Sequence, residues 1–336
     1  HLFTQVLSLC HEAGLAKVGK VYLDGTKMQA SASLAANRTL AHLEQEIVKM
    51  QGEMKDADAA DDARHGKDRR GDELPAGLRG KRERLARLQE AKERLELAAT
   101  AERLAQESKL AKRAEEEAQS GKKKPGRKPA SPDAAVDHDR KANPTDPASR
   151  IMKTSQGHVQ GFNAQAIVTT GQCIVSAEIT QDENDVHQLE PMLAALAATL
   201  EAAGIEDRPP ALAADAGYGH DQLEVKELEQ KGPALFIATA SRLKEAQAHQ
   251  AEGSPQGRIP DDITPKQRMA RKLRTKVGRA VYKLRSQTVE PVFGQIKSIM
   301  GCRSFLRRGL EAVQSEWSLI CACFNLRKLY RAAYGE

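Results

Sequence analysis

Three acidic residues stand where short apolar runs stop: Asp24 after Val18 to Leu23, Asp215 after Pro210 to Ala214, and Glu290 just ahead of Pro291 in an otherwise basic stretch. Asp24 and Asp215 are far apart in the chain, yet neighbouring strand ends in an α/β sheet can bring such side chains within a few ångströms. Two close carboxylates repel, and each favours protonation unless a cation stands between them. Their natural partner is a hard divalent ion with oxygen ligands, Mg²⁺ or Mn²⁺. Taken singly, each acid has a plainer reading, since Asp at a strand end caps or turns and Glu before Pro caps a helix. Pro291 disfavours helical geometry at Glu290, which makes Glu290 an N-cap with Pro291 in the first helical position. In a helix, Glu290 and Lys297 would share one face about 10 Å apart along the axis, so that the carboxylate reaches a metal while the ammonium reaches a phosphate.

The elements that must position these residues follow from the pattern around them. Leu2 to Leu15 has the apolar spacing of a short helix, stopped near Gly14. Val18 to Leu23 reads as a strand ending in an Asp24-Gly25-Thr26 turn. From about Leu34 to Gln119 the chain turns to Ala, Glu, Lys, Arg, Gln and Leu, with Leu40, Leu43, Ile47 and Met50, then Leu85, Leu88 and Leu95, at or near helical spacing. Two long helices that fold back as an antiparallel hairpin are expected, with a polar, Gly-containing turn between Asp56 and Pro75. Residues 121–150 are basic and rich in Pro, including Pro125-Gly126-Arg127-Lys128-Pro129, and read as a flexible linker. Val159 to Val168 and Gln172 to Thr180 predict a hairpin. A helix capped by Asn184 or Asp185, a strand over Pro210 to Ala214, a helix near Gln222 to Gln230, and a strand over Ala234 to Ala238 follow. Thr264 caps a helical tail with Pro265 in its first turn and Trp317 in the core. The order predicts an α/β core with a mixed sheet flanked by helices.

Composition narrows the function. The 336 residues suggest about two domains at roughly 150 residues each. No apolar run reaches the roughly 18 residues of a membrane span. Five scattered cysteines exclude a disulfide framework and a zinc ribbon, and Cys321 and Cys323 read as buried small residues. The chain opens on His1 without a signal peptide, so a reducing cytoplasm is expected. Net charge is only +6, but residues 263–310 hold thirteen basic side chains against the single acid Glu290, a field that attracts polyanions.

Asp24-Gly25-Thr26-Lys27, the Gly71-to-Pro75 run, Gly161-Phe162-Asn163-Ala164-Gln165, Ala214-Asp215-Ala216-Gly217-Tyr218 and Val289 through Lys297, in this order, resemble the DDE transposases of bacterial insertion sequences in the broad IS-four-like group. The resemblance implies an RNase H-like mixed sheet flanked by helices, with a long helical hairpin inserted after the first core strand. It divides the chain into 1–33 (start of the core), 34–120 (hairpin), 121–150 (linker) and 151–336 (rest of the core and C-terminal helices). It places Asp24, Asp215 and Glu290 on three acidic positions that bind two divalent ions, Mg²⁺ or Mn²⁺. Lys297, Arg285, Tyr282 and Lys27 become contacts to DNA. The group's Tyr, Arg, Glu, Lys signature has three residues between Arg and Glu, whereas four separate Arg285 from Glu290 here; a break at Pro291 would absorb the extra one.

The expected activity is metal-dependent cleavage of transposon ends and strand transfer to target DNA by a homo-oligomer, in the bacterial cytoplasm on the nucleoid. An end-recognition region is expected upstream of His1. The alternatives are an inactive DNA-binding or assembly remnant, a nuclease that cuts without joining, and a tyrosine nucleophile at Tyr218 or Tyr282.

Overall fold

The computed structural model describes residues 1–65, 76–123, 125–126, 128–219, 225–239, 253–257, 260 and 263–335; the Gly71-to-Pro75 run lies outside them. They form two compact units, residues 1–31 with 151–336, and residues 32–150.

In chain order the described elements are α1 (Leu2–Glu12), β1 (Val21–Gln29), β2 (Arg38–Thr39), α2 (Leu40–His65), α3 (Ala76–Ser120), β3 (Lys141–Ala142), β4 (Arg150–Thr154), β5 (Gly157–Thr169) and β6 (Ile174–Thr180). Then come α4 (Leu189–Ala202), β7 (Ala211–Ala214), α5 (Val225–Lys231), β8 (Ala234–Ile237), α6 (Pro265–Arg274), α7 (Lys276–Tyr282), α8 (Leu284–Gly294), a π-helical turn (Gln295–Ile299) and α9 (Leu310–Tyr334).

The larger unit is built on one sheet in which β6, β5, β1, β7 and β8 lie side by side and β4 pairs β5. β5 runs antiparallel to β6 and β1, while β1, β7 and β8 are mutually parallel. Helices pack on this mixed sheet, an arrangement consistent with an RNase H-like transposase domain. Its interior strands are buried on both faces: every residue of β7 is buried, as is β5 from Gln160 to Thr169, polar side chains included. Among the described residues no helix is long and apolar enough to cross a membrane.

β1 is longer than its sequence suggests. The Asp24-Gly25 pair does not turn the chain, and the strand continues to Gln29 because β5 pairs with it along its whole length, from Val21 opposite Thr169 to Gln29 opposite Gly161. A full antiparallel ladder outweighs the local turn preference of two residues. Beyond Gln29, an extended segment carries the edge on: Phe305 N–H donates to Gln29 O at 2.8 Å.

At the opposite edge β6 is covered by side chains of α9. Gln314 accepts from Ile179 N at 2.6 Å and donates to Ala177 O at 3.0 Å. Asn325 accepts from Ile174 N at 2.9 Å and donates to Ile174 O at 2.7 Å. The two amides are three helical turns apart and so share a face, and together they replace the strand partner that β6 lacks. Trp317 between them is buried and donates Nε1–H to Gln165 O at 3.0 Å. On the same helix Cys321 is buried as expected, but Cys323 is exposed, because it falls two residues on and off that face.

In the smaller unit α2 and α3 run antiparallel, with Glu53 paired to Lys81 and Glu44 to Lys92. Leu43, Ile47, Leu88, Ala91 and Leu95 form their shared core with Ala142. The segment read as a flexible linker is fastened along α3: Arg103 pairs with Asp133 at 3.0 Å, and Arg94 donates to Pro147 O and Ser149 O. Composition alone gives such a stretch no core, but salt bridges and carbonyl acceptors along a charged helix give it partners.

Asn325→Leu leaves the N–H and C=O of Ile174 buried without partners. At about 1–3 kcal/mol per orphaned group, the variant should lose about 2–5 kcal/mol in urea unfolding; a loss below about 0.5 kcal/mol would mean that the amide does not hold the edge.

Candidate functional site

The parallel register of β1 and β7 sets Tyr22 opposite Ala213. Two residues further on, Asp24 and Asp215 emerge abreast on the same side of the pleat. There the strands part company: β7 ends at Ala214, and Asp215 caps a short 3₁₀ turn by accepting from Gly217 N at 2.8 Å, while β1 continues with β5. In α/β sheets such a point of divergence is where ligands bind.

Asp24 accepts from its neighbour Gly25 N at 2.9 Å and from Arg285 Nη1 at 2.9 Å, a side chain reaching over from α8. Burial raises the pKa of Asp24, Arg285 opposes this, and the charge of Asp215 adds to it; the carboxyl is pushed up to about 6. Desolvation works against the Arg285 cation, but Asp24, Tyr282 and Asp215 outweigh it and hold the guanidinium above its ordinary value. The two carboxylates are thus short of positive charge even with an arginine beside them.

A third carboxylate, Asp185, stands on the other side of Gly25. Asn163 Nδ2 and Gln165 Nε2 both donate to its Oδ1 at 2.7 Å, and Lys27 Nζ lies 3.9 Å away. Asp185 does not cap a helix, since α4 starts only at Leu189. Gly25 makes the approach possible: a Cβ there would strike Gln165 Nε2 and stand 2.8 Å from Asp185 Oδ1 and 2.9 Å from Asn163 Oδ1. Burial pushes the Lys27 ammonium down, opposed by Asp185, Glu183, Asp215 and Asp24. Tyr218 is buried and donates its hydroxyl to Gln165 Oε1. Burial first, then the charges of Asp185, Asp24 and Asp215, hold this phenol well above its ordinary pKa, so it is a fixed donor and not a poised nucleophile.

Lys297 Nζ donates to Thr26 Oγ1 at 2.6 Å and to Lys27 O at 2.9 Å, and burial pushes its pKa down. It comes round to β1 because the chain leaves α8 in a π turn, in which each residue rotates less than in an α-helix. The same turn shifts the phase between Glu290 and Lys297 away from that of a regular α-helix. Glu290 is exposed, whereas its neighbours Thr288, Val289 and Val292 are buried. It is not an N-cap, because α8 begins six residues earlier and carries Pro291 in its interior. The carbonyl that Pro291 cannot bond, that of Gln287, accepts instead from Gln172 Nε2 at 3.3 Å, which lets the helix continue. Gln172 makes this reach from the β5–β6 turn at φ 60°.

The structure thus brings together Asp24, Asp215, Lys27, Arg285 and Lys297, with Tyr282 close enough to perturb Arg285, while Glu290 is exposed on α8. Asp185, Asn163 and Gln165 join the cluster although sequence reasoning gave none of them a role in the chemistry, and Tyr218, offered there as a rival nucleophile, joins it as a hydrogen-bond donor. A signal existed in Asn163 and Gln165, two polar residues with period two among Phe162, Ala164, Ala166, Ile167 and Val168.

As a cation site, the donor set of Asp24 and Asp215 fits a hard divalent ion: paired oxygen ligands, partly desolvated, with a raised pKa that an added positive charge would relieve. Among the described residues no three His, Cys, Asp or Glu side chains are grouped closely enough to cage a metal.

The family description "Transposase DDE domain" matches residues 99–326, well over half of the chain, including Asp215, Arg285, Glu290 and Lys297. No curated protein and no solved structure matches.

Because the folded value of Asp24 lies above that of an exposed Asp, about 3.9, its favourable contribution to stability is full below about pH 4 and is lost as pH rises through about 6. Arg285→Ala should move the Asp24 carboxyl midpoint further up in a ¹³C NMR titration and should destabilise the protein more at pH 8 than at pH 4. A midpoint that falls or stays in place would remove Arg285 as the counter-charge.

Proposed function

Since the chain belongs to the transposase DDE domain family, we propose that it cleaves DNA at the ends of an insertion sequence of the IS-four-like group and transfers the freed strands to a target, with Asp24, Asp215 and Glu290 holding two divalent cations, Mg²⁺ or Mn²⁺. The observation that supports this most directly is the pair Asp24 and Asp215, abreast where β1 and β7 diverge and ringed by Arg285, Lys27 and Lys297.

Residues 1–33 and 151–336 make the catalytic core, 34–120 the inserted hairpin, and 121–150 the return to the core. The protein acts on DNA as a homo-oligomer in the bacterial cytoplasm. When bound, the ions supply a charge that activates water or a DNA 3′-hydroxyl and stabilises the leaving oxygen. Everything else falls to the chain. Arg285 and Lys297 bind the oxygens of the phosphate to be cut, Lys297 from a half-buried position that keeps its ammonium directed along β1. Tyr282, near enough to perturb Arg285, contacts the same DNA strand. Lys27, tied to Asp185, faces the same DNA strand.

For the acid set to be complete, Glu290 must reach the same ions as Asp24 and Asp215. The segment that carries it is suited to this, since Pro291 removes one helix hydrogen bond and the π turn follows directly.

Asp215→Asn should abolish Mg²⁺-dependent nicking of a labelled duplex, with a loss of about a hundredfold or more, and Glu290→Gln should do the same while leaving the metal-free titration of Asp24 unmoved. Full nicking by either variant would remove that residue from the machinery. Lys297→Ala should weaken duplex binding and lower its salt slope by about 1; an unchanged slope would exclude a phosphate contact.

A further inference from the structure

α9 packs one side against β6 and leaves another open. Along the open side runs a row with the spacing of a single helical face: Ala312, Ser315, Leu319, Cys323, Leu326 and Tyr330. Leu319 and Leu326 are each 49% exposed, and Tyr330 is 54% exposed. Lone apolar side chains are ordinary on a protein surface, but an uncharged row of this length, about 27 Å at 1.5 Å per residue, marks a face that another surface covers. Ser315 does not interrupt it, since its hydroxyl already donates to Glu311 O at 3.0 Å within the helix.

The order of sizes along the row identifies what it fits. A two-fold axis perpendicular to α9 and level with residue 321 would lay the same helix of a second copy antiparallel on it. Each large side chain then meets a small one: Tyr330 faces Ala312, Leu326 faces Ser315 and Leu319 faces Cys323, and the symmetry repeats each contact on the other side of the axis. A parallel pair would instead set Tyr330 on Tyr330 and Leu326 on Leu326, with gaps at Ala312 and Ser315.

Charge follows the same symmetry. Glu316 and Arg327 are three helical turns apart and border the row on one flank. The two-fold axis carries that flank onto itself, so Glu316 of each copy meets Arg327 of the other. Arg327 is exposed, and Glu316 is held in place by accepting from Leu306 N and Arg307 N, each at 2.9 Å. Parallel pairing would set Glu316 against Glu316 and Arg327 against Arg327, which repel.

We infer that a second copy of this chain docks on the open face of α9, antiparallel and about a two-fold axis. The inference deepens the homo-oligomer part of the proposed function and rests on that part alone.

The test uses the full chain. Sedimentation equilibrium should show monomer and dimer in exchange for the wild type. Leu326→Glu, which would bury a carboxylate opposite Ser315, should raise the dissociation constant by about tenfold or more. Its thermal midpoint should be preserved, because Leu326 is exposed in the single chain. Arg327→Glu sets like charges opposite each other and should weaken pairing by about threefold at low salt and by less at high salt. Register is read by mixing the wild type with a chain carrying both Leu319→Cys and Cys323→Ser and oxidising with diamide, which takes up the two thiol hydrogens. Cys323 of one copy should join position 319 of the other in a band of twice the chain's mass. Glu311→Cys with Cys323→Ser, a thiol off the row, should give no such band. This arm still decides the matter if Leu326→Glu unfolds. Unchanged dimerisation by folded Leu326→Glu, or cross-linking from position 311 as strong as from position 319, overturns the inference. So does a wild type that stays monomeric at high micromolar concentration with and without a DNA duplex, which would leave the row to a different partner. None of these outcomes touches the cleavage reading, which is decided by metal-dependent nicking and its loss in Asp215→Asn; a dimer that does not nick overturns that reading and leaves the pairing in place.

Discussion

Two carboxylates forced side by side govern this fold's active end. The register that sets Tyr22 opposite Ala213 leaves Asp24 and Asp215 no choice of neighbour, because parallel pairing carries them out on the same side of the sheet. Burial makes the arrangement costly, as the rise of Asp24 to about 6 records. Each surrounding device bears on that cost. Arg285 brings a cation within 2.9 Å, and Gly25 leaves room for Asp185 and its two amide donors to close in and hold Lys27 nearby. A substitution that relaxed the register would relieve the repulsion and dissolve the site at the same time.

The helical segment that faces β1 is shaped by a different constraint, the missing N–H of Pro291. An interior proline ordinarily kinks or ends a helix. Here the orphaned carbonyl of Gln287 finds the amide of Gln172, and Gln172 adopts a left-handed backbone to supply it. The helix survives, and the π turn after it swings Lys297 onto Thr26 and Lys27 O. One side-chain amide in a hairpin turn thus bears on the phase of the elements that carry Arg285, Glu290 and Lys297.

Much of this was legible in the residues. The strands of β5, β6, β7 and β8, the antiparallel course of α2 and α3, and the Thr264 cap with Pro265 behind it all follow from periodicity and capping chemistry. Asp215 was readable because its strand does end there. Asp24 sits within a strand and not at its end; only the pairing with β5, a long-range fact, shows that Asp24-Gly25 is a close approach and not a turn. Asp185 was misjudged on the same ground, since an Asp ahead of an apolar helix looks like a cap until the amides of Asn163 and Gln165 are placed against it. The π turn leaves no mark in composition, so an α-helical count put Glu290 and Lys297 on one face.

The electrostatics that raise Asp24 also bear on any further acid brought to the pair. At an effective dielectric constant near 20, two unit charges about 4 Å apart repel by roughly 4 kcal/mol. Asp24 already carries the influence of Asp215, with Arg285 as counter-charge. A further carboxylate brought against that pair would meet repulsion from both and force a proton onto one of the three. The charge balance of this site therefore favours a pair of acids with an arginine, and it favours a triad only when enough positive charge arrives to hold all three ionised. On the proposed two-cation reading, the approach of a third acid and the loading of cations would be one equilibrium, because each supplies what the other needs.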